Sequence, residues 1–453
     1  MSRTQTPVTR ARETSLLPLV PLLSGTVVGT LNNNIVNVPL REIMGALHVE
    51  LSRGALVVVA FNLSLAVFMP FAGWTADRLG RRRVFIASML AVGASSLGAA
   101  LASSLTLLVA FRVLQGLSAA AILPCVMGLI TDLYGQERRG RALGWWAAAN
   151  GFGQTVGPPL GGVLASWLSW RWIFAPTLPI VAFAALGARR LVPKSAPRAM
   201  PLDWRGAALL TVGVALAISS VTVVPQVGIR SPLVWVLATI ALGALVAFAA
   251  SSRRRRAPFL DPRLIREPSF LRSSLAAFAQ MFCLGATLLA VPLALTRSGH
   301  ESPATVGLVV FALPATMTLL APVAGIAAER FGTRRVLRAG MGVLVAAQLL
   351  CVAAVGGGAP LGAVLACLAA VGVGVAFVQT PAAAGATRSE AGRLGTGLGV
   401  FNLLRFAGSA LGAAWVAVAL SGSARYRLTF ELCALVAALG LAGTWAHTPA
   451  PLE

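Results

Sequence analysis

The sequence has few charged residues and very few acids. Only 11% of its 453 residues are Asp, Glu, Lys or Arg, while 57% are hydrophobic; soluble domains carry about 25% charged residues. This shortage of charge excludes an ordinary soluble fold. Apolar runs of about twenty residues, enough to cross a bilayer as a helix, follow one another along the chain. The sequence therefore predicts an all-α membrane protein with many spans.

The scarcity of acids leaves 14 Asp and Glu against 37 Lys and Arg, and a net charge of +23. Such an excess is also found in nucleic-acid-binding proteins, but here the basic residues lie mainly in alternate loops and the aromatics are scattered among the apolar runs. We therefore expect the lipid bilayer, and no nucleic acid, as a partner. The positive-inside rule predicts a multi-pass protein of the plasma (cytoplasmic) membrane with both termini cytoplasmic.

Cysteine and histidine are also scarce. The five cysteines are scattered singly, mostly within apolar runs, without a C-x-x-C pair or a neighbouring histidine. This pattern predicts apolar packing residues and neither disulfides nor a metal site. Walker loops, zinc-ligand spacings and nucleophile elbows are missing as well. We therefore expect no cofactor, no enzymatic activity and no ATP-driven transport by this chain alone.

Fourteen apolar segments are separated by charged or turn-forming breaks. Basic loops alternate with loops poorer in basic residues, so cytoplasmic tails at 1–15 and 448–453 require an even number of spans. The predicted spans lie near 16–40, 53–76, 83–103, 105–132, 139–166, 169–191, 204–226, 231–251, 272–296, 303–328, 334–355, 360–386, 393–420 and 427–447.

One loop motif occurs twice, 252 positions apart, as Gly73–Arg83 and Gly325–Arg335. Each copy joins two apolar segments, which predicts two related halves facing the same side of the membrane. The repeat divides the chain into six-helix bundles at 16–191 and 272–447 and a linker at 192–271 with two inserted helices. The loops either act as a conformational latch or only fix topology. The predicted latch residues are Gly73, Asp77, Arg78, Gly80, Arg81, Glu329, Arg330 and Arg334.

Two arginines fall inside predicted spans, Arg112 in the fourth and Arg405 in the thirteenth. An ionised group within a bilayer is costly, so it faces a cavity or a partner and marks a functional site. Two alternatives remain: Arg112 extends to the outer surface, or Arg405 fastens its helix to neighbouring carbonyls.

The first span contains four asparagines within six residues, which is hard to explain as packing. Asn33 and Asn37 share one helix face. Buried amides need partners, so part of this cluster should line a polar cavity, together with other polar residues in spans such as Asn62. The predicted cavity residues are Asn32, Asn33, Asn34, Asn37, Arg112, Gln115, Asn150, Gln154, Asn402 and Arg405.

The fifth span carries glycines at every fourth position, which leaves one helix face bare for close packing. Pro158 removes a backbone hydrogen bond and favours a bend. A packing seam alone would also explain this motif, which consists of Gly153, Gly157, Pro158, Gly161 and Gly162.

Acids that could carry protons are hard to find within the spans. Glu42 and Glu431 are the nearest candidates, each close to the outer end of its helix. Arg427 lies four residues before Glu431, so an ordinary helical ion pair explains that acid equally well.

These motifs resemble the major facilitator superfamily, and specifically its fourteen-span drug:proton antiporter branch. The resemblance rests on Gly73–Arg83, Leu108–Gly116, Gly153–Gly162, Asp203–Gly206 and Phe401–Arg405. It implies two six-helix bundles around a cavity that opens alternately to each side, in a monomer that exports small amphipathic molecules in exchange for protons. It also associates the Gly153–Gly162 motif with export.

The first span departs from this family, because Asn32 occupies a position that is usually Asp. Asn32 cannot titrate, which puts proton coupling in question. Two alternatives therefore stay open. One is an uncoupled or differently coupled facilitator, or a lipid or metabolite exporter, of the same fold. A more remote one is a membrane sensor that binds ligand without transporting it.

Overall fold

The computed structural model describes residues 16–49, 54, 56–198, 201–255, 258–261, 263, 266–297, 303–355, 359–420 and 426–445. Within these ranges the chain forms sixteen α-helices, two short 3-10 turns and no strand. The helices are α1 Leu19–Asn34, α2 Leu40–Leu47, α3 Leu56–Leu79, α4 Arg81–Ala100, α5 Leu105–Ala119, α6 Ile122–Leu133, α7 Gln136–Trp167, α8 Thr177–Leu191, α9 Trp204–Val227, α10 Pro232–Arg254, α11 Pro268–Arg297, α12 Pro303–Phe331, α13 Thr333–Ala354, α14 Leu361–Arg388, α15 Gly395–Leu420 and α16 Tyr426–Gly443.

Twelve segments among the described residues are long and apolar enough to cross a membrane, with α5 and α6 together forming one of them. Helices α1 and α7 occupy the first and fifth predicted spans but do not meet these criteria. Helix α1 has only 16 residues because it ends at Asn34, before the predicted end at 40. Helix α7 is long, with 32 residues, but its sequence is rich in glycine and amides. The protein is thus helical with about twelve candidate spans, and the count of fourteen stays a prediction.

A single glycine separates the helices in each copy of the repeated loop. Gly80 joins α3 to α4 with φ 94°, and Gly332 joins α12 to α13 with φ 89°. Residues with a Cβ rarely adopt this conformation, which explains why both loops carry glycine here. The two hairpins are therefore built in the same way.

Helix packing repeats between the two halves, which we define as α1–α8 and α11–α16. In the first half α1 packs on α7, α3 on α5, and α4 on α8. The corresponding pairs in the second half are α11 with α15, α12 with α14, and α13 with α16. The halves meet where α3 crosses α15 and where α7 crosses α12. The corresponding helices of the two halves therefore pack in the same pairs, and the division at 16–191, 192–271 and 272–447 stays a prediction.

The inserted helices α9 and α10 pack on each other, and α9 also contacts α3 and α15. Helix α9 therefore lies against both halves, along one side of their junction.

Two cysteines form a disulfide, contrary to the expectation from sequence. Cys351 in α13 and Cys367 in α14 are bonded, with their Cα atoms 5.8 Å apart. The two helices form a hairpin that brings residues far apart in sequence face to face, and spacing along the chain did not reveal this. Cys125, Cys283 and Cys433 are buried and free, as expected for packing residues.

Candidate functional site

Asp77, at the end of α3, connects the two halves. Its carboxylate is 2% exposed and accepts a hydrogen bond from the backbone N–H of Gly395, the first residue of α15. Arg81 donates to the same carboxylate from Nε at 3.2 Å and from Nη2 at 3.1 Å. An anion at a helix N-terminus is stabilised by the helix dipole and by the free N–H groups there. Asp77 thus holds the start of α15 against the first half.

Glu329 makes the matching contact from the second half. Its carboxylate accepts a hydrogen bond of 2.6 Å from the backbone N–H of Arg141 in α7, and the Arg141 guanidinium lies 3.8 Å away. Each acid of the repeat therefore reaches the helix that occupies the fifth predicted span of the opposite half, α15 for Asp77 and α7 for Glu329. We call these two contacts, Asp77 with Gly395 and Glu329 with Arg141, the acid clamp. The same face of the molecule carries the arginines of the two repeated loops, Arg78, Arg82, Arg83, Arg330 and Arg335. We call it the arginine-rich face.

Arg81 extends the clamp around Asp77. Its Nη2 donates to the carbonyl of Arg393 at 2.8 Å, which is a second link to the other half. Its Nη1 donates to the carboxylate of Asp132 at 3.1 Å and to the carbonyl of Gly128 at 3.0 Å. Sequence reasoning missed Asp132 as a member of this group, because its place at the end of a predicted span is equally typical of a capping residue.

Arg334, a predicted latch residue, makes hydrogen bonds within its own half, and its role in the latch stays a prediction. It donates to the carbonyls of Thr444 and Trp445 beyond the end of α16. Arg82, the matching residue of the first half, donates to the carbonyls of Val192 and Arg189 at the end of α8. Arg82 thus ties α4 to the end of α8, and Arg334 ties α13 to the end of α16.

The remaining predicted latch arginines, Arg78 and Arg330, are exposed. Arg78 lies over the ring of Trp74 at 5.2 Å, and Arg330 over that of Phe331 at 5.5 Å.

Close glycine contacts accompany the acid clamp. A Cβ on Gly73 would overlap the carbonyl oxygen of Gly395, and a Cβ on Gly395 would overlap that of Gly73. On the other side of the junction, a Cβ on Gly325 would lie 2.6 Å from the carbonyl oxygen of Gly140. The first glycine of each repeated loop is therefore required because backbones from opposite halves touch there.

A cavity of about 600 Å³ lies between the halves. It borders the first part of α3, from Leu56 to Ala66, whereas Asp77 lies near the other end of that helix. The cavity is thus separated from the arginine-rich face by the clamp and its glycine contacts. An apolar wall includes Ile218, Leu288 and Phe406. The polar lining comprises Thr30, Asn33, Asn34, Asn37, Asn62, Asn150, Gln154, Ser219, Thr222, Arg405 and Ser409.

Six of the ten predicted cavity residues are in this lining: Asn33, Asn34, Asn37, Asn150, Gln154 and Arg405. The others, Asn32, Arg112, Gln115 and Asn402, are fully buried elsewhere. Sequence reasoning missed the inserted helix α9, which contributes Ser219 and Thr222. Two hydroxyls three residues apart, on one helix face, were the available signal.

Arg112 lies inside the first half and away from the cavity lining. Its guanidinium donates to the carbonyls of Val57 at 2.9 Å and Asn32 at 3.0 Å, and to Oε1 of Gln115 at 2.9 Å. The ring of Phe61 lies 4.2 Å from the guanidinium carbon. Arg112 therefore neither extends to the surface nor faces the cavity; it ties α1, α3 and α5 together.

Asn32 belongs to the same buried network. Its Oδ1 accepts from Gln115 Nε2 at 3.3 Å and from Thr177 Oγ1 at 3.2 Å, and its Nδ2 donates to the carbonyl of Val28 at 2.9 Å. The amide thus uses both a donor and an acceptor, a role that a carboxylate would fill only in part. Neighbouring Asn33 and Asn34 face the cavity because they lie around 100° and 200° further around the helix.

Arg405 is held at the cavity by Asn402, whose Oδ1 accepts from Nη1 at 2.9 Å. Asn402 donates in turn to the carbonyl of Leu398 at 2.9 Å and lies against the sulfur of Met127 in the first half. The ring of Trp146 in α7 lies 5.2 Å from the Arg405 guanidinium carbon. Arg405 therefore sits at the junction of the halves, and Asn402 supports it from behind.

A family model described as the Major Facilitator Superfamily matches residues 22–259 and 273–453. The chain belongs to the Major Facilitator Superfamily. The predicted membership is thus confirmed, and relatives named for multidrug resistance support the branch.

Curated relatives of this superfamily member are similar over much of the chain. The "Multidrug resistance protein B homolog" of Mycobacterium tuberculosis is 31% identical over 65% of the chain, and the match spans 55% of that relative's length. The chain thus matches only about half of this relative. "Multidrug resistance protein Stp" of the same organism is 30% identical over 90% of the chain and 78% of the relative. The "Putative multidrug resistance protein MdtD" of Salmonella typhi is 30% identical over 69% of the chain and 67% of the relative.

Solved transporters share the fold at low sequence identity. The human organic anion transporter MFSD10 (TETRAN) is 19% identical with a TM-score of 0.68, over 97% of this chain and 100% of that one. The proton:xylose symporter XylE is 13% identical with a TM-score of 0.70, over 96% of each chain. These structures show that the chain shares the fold of the superfamily.

The glycine motif of this superfamily member packs α7 against α1. A Cβ on Gly153 would overlap Thr30, one on Gly161 would overlap the carbonyl of Ile35, and one on Gly157 would lie 3.1 Å from Asn34. Gly162 faces Val38, and Pro158 lies inside the continuous helix α7. The motif thus sets the distance between two helices that both line the cavity.

The two candidate proton carriers lie apart from the cavity lining. Glu42 is exposed on the short helix α2. Glu431 is also exposed, and its carboxylate is 2.8 Å from Arg427 Nε, which is the ordinary helical pair that the sequence offered as an alternative. Their role as carriers stays a prediction.

Proposed function

We propose that this protein is a secondary active exporter of small amphipathic molecules that works by alternating access. The observation that carries the proposal is the acid clamp, which closes one face while a cavity with polar and apolar walls lies between the halves beyond it. A few hydrogen bonds and glycine contacts join the halves at this face, so rotation of one half against the other would release them together. The names of the curated relatives support multidrug efflux as the role.

We further propose that the arginine-rich face is cytoplasmic and that the protein lies in the plasma membrane. The positive-inside rule supports this orientation. The Cys351–Cys367 disulfide supports it too, because both residues lie toward the ends of α13 and α14 that are remote from Thr333 and Arg388. Disulfides persist on the oxidising, external side of a cell membrane. In this orientation the cavity lies on the external side of the closed clamp, as in the releasing state of an exporter.

Fourteen spans are part of the same proposal. Helices α1 and α7 pack along each other as α11 and α15 do in the second half, which supports a membrane-crossing role for both. Each bundle then has six spans, with α9 and α10 inserted between them. One chain contributes all the described cavity walls, which supports a monomeric transport unit.

Exchange for protons is the coupling that the family resemblance implies, and we propose it as the first candidate. A specific observation favours a second candidate, a facilitator or an exporter with another coupling. Among the described residues that line the cavity there is no carboxylate, and the position at which the family resemblance implies an acid is occupied by Asn32. Exchange needs a group whose protonation competes with substrate.

Everted membrane vesicles can test both candidates. An interior-acid pH gradient should drive uptake of at least one of two fluorescent dyes, the cation ethidium or the anion dansylglycine, into vesicles that contain the protein. Vesicles with the Asp77→Asn variant should take up less than half as much. Uptake that persists after nigericin collapses the gradient would favour the second candidate. If native vesicles accumulate no more of either dye than empty ones, the export function is wrong.

A further inference from the structure

The cavity carries a positive charge that no acid balances. Among the described residues of its lining, Arg405 is the one that is ionisable, and it is 2% exposed. Within the described part of the chain, all six ion pairs lie elsewhere. A buried cation without a counter-charge is costly, so the site favours an occupant that brings negative charge.

Arg405 also has donors left over. Its Nη1 group bonds Asn402, whereas its buried Nε has no acceptor among the described residues. A guanidinium presents five N–H donors in a fixed fork that suits a two-oxygen anion. The side chain is held by Asn402 and by the Trp146 ring, so its position does not need to be organised by the ligand.

A second buried donor faces the same cavity. Asn150 is 3% exposed, lines the cavity, and its Nδ2 has no acceptor among the described residues. Arg112, by contrast, places three hydrogen bonds on protein acceptors. Arg112 Nη2 also has no acceptor among the described residues, but Arg112 lies away from the cavity. Among the described residues that line the cavity, Arg405 and Asn150 are the two whose buried donors lack an acceptor.

We propose that the cavity has an anion subsite at Arg405 and Asn150, and that the transported molecules are small amphipathic organic anions. A carboxylate or sulfonate accepts from these donors while the apolar part of the molecule packs on Ile218, Leu288 and Phe406. A volume of about 600 Å³ suits a drug-sized molecule. This inference rests on the proposed function, since it names the substrate class of the same cavity.

A matched set of dansyl compounds tests the subsite by binding alone. Dansylglycine is anionic, dansylglycinamide neutral and dansylcadaverine cationic, and each is titrated by fluorescence into the full chain in nanodiscs, with empty nanodiscs as the blank. We expect the anion to bind at least about tenfold more tightly than the neutral compound, as the loss of one charge-assisted contact would give. Equal affinities, or tightest binding of the cation, would overturn the inference.

Variants assign the preference to Arg405. In Arg405→Gln the anion and the neutral compound should bind alike, Arg405→Lys should keep part of the preference, and Asn150→Ala should weaken dansylglycine by a smaller factor. The exposed Arg230 provides the control, since Arg230→Gln should change nothing. A preference that survives Arg405→Gln contradicts the subsite. If Arg405→Gln no longer binds the neutral compound either, the result for Arg405→Lys decides. An Arg405→Lys variant that still binds the neutral compound but has lost the preference for the anion also contradicts the subsite.

Three further outcomes separate this inference from its alternatives. Displacement of dansylglycine by a lysophospholipid anion but not by octanoate would overturn the assignment to small organic anions. Anion-selective binding without flux in vesicles would leave the subsite standing and contradict export. Flux of dyes with no charge preference in binding would contradict the subsite and leave export standing.

Discussion

Two buried arginines of this protein differ in what their hydrogen bonds accomplish. Arg112 directs its guanidinium to acceptors on three helices, α1, α3 and α5, and is 0% exposed. Arg405 bonds one acceptor on its own helix and borders the cavity. A buried guanidinium that joins several helices fixes a structure, whereas one that bonds a single residue of its own helix and borders a cavity is available to a ligand. We therefore assign Arg112 to the stability of the first half and Arg405 to binding.

Replacement of Arg112 by lysine should destabilise the protein. An ammonium keeps the charge, but it cannot reach the three acceptors that the planar guanidinium joins. Since a hydrogen bond from a charged donor contributes about 1.5–3 kcal/mol, we expect a loss of about 2 kcal/mol or more in the free energy of unfolding. Denaturant unfolding in detergent measures it, with the exposed Arg230→Lys as control. Unchanged stability of Arg112→Lys would contradict the structural role.

At the scale of residues, the sequence identifies the polar groups within spans but not the direction in which each one faces. Asn33 and Asn37 were placed on one face by helical periodicity, and both line the cavity. Asn32 and Gln115 carry the same kind of side chain, yet they form a network inside one bundle. Burial of a polar group requires a partner but does not say whether that partner is protein or ligand. Only the packing of neighbouring helices decides this.

At the scale of helices, glycines set how closely the two halves approach on the arginine-rich face. Gly73 and Gly395 touch backbone to backbone, and so do Gly325 and Gly140. In the proposed alternating-access cycle, these contacts form while that face is closed and separate when it opens. A side chain there therefore acts on the closed state alone, without changing the packing within either half.

Substitution of Gly395 by valine should reduce transport with little effect on insertion into the membrane. A side chain at this position meets the carbonyl of Gly73, so the arginine-rich face can no longer close. Dye uptake per amount of protein should fall at least about tenfold, since a shift of 1.4 kcal/mol or more against the closed state suffices. Gly243→Val in α10 is the matched control, because no atom lies within 4 Å of a Cβ built there. Equal uptake by the two variants would contradict this assignment.

The α13–α14 hairpin yields a chemical prediction. Denatured, unreduced protein should react with a maleimide at three cysteines, Cys125, Cys283 and Cys433, and reduction should expose Cys351 and Cys367 as two more. Mass spectrometry of the labelled chain counts the adducts. Five adducts before reduction would show that the pair is not bonded. The double variant Cys351→Ala, Cys367→Ala serves as the control and should give three adducts in both conditions.

At the scale of the whole molecule, the repeat predicted the architecture. The 252-residue offset brings α3 onto α12 and α7 onto α15, and these are the helices that form the two crossings between the halves. The repeat could not predict where the inserted helices lie in space relative to the two halves, because α9 and α10 have no counterpart in the repeat. That α9 borders both halves and the cavity follows from its packing alone.

The acid clamp relates the two halves to the conformation of the whole protein. Asp77 is 2% exposed and bonded to both Gly395 and Arg81, whereas the Glu329 side chain is 15% exposed. Charge-assisted hydrogen bonds are stronger when they are shielded from water. Loss of the Asp77 charge should therefore open the arginine-rich face more than loss of the Glu329 charge.

Distances across this face can measure that opening. Spin labels at Arg83→Cys and Arg335→Cys lie on exposed positions of opposite halves. We expect Asp77→Asn to shift the main distance between the labels to a longer value and Glu329→Gln to cause a smaller shift. The double variant should give a larger shift than either single variant. Glu390→Gln, which removes an exposed acid paired within three residues of its own half, is the control and should leave the distance unchanged. If Asp77→Asn keeps the native distance while dye uptake is lost, the carboxylate serves transport in another way, and the clamp does not hold this face closed.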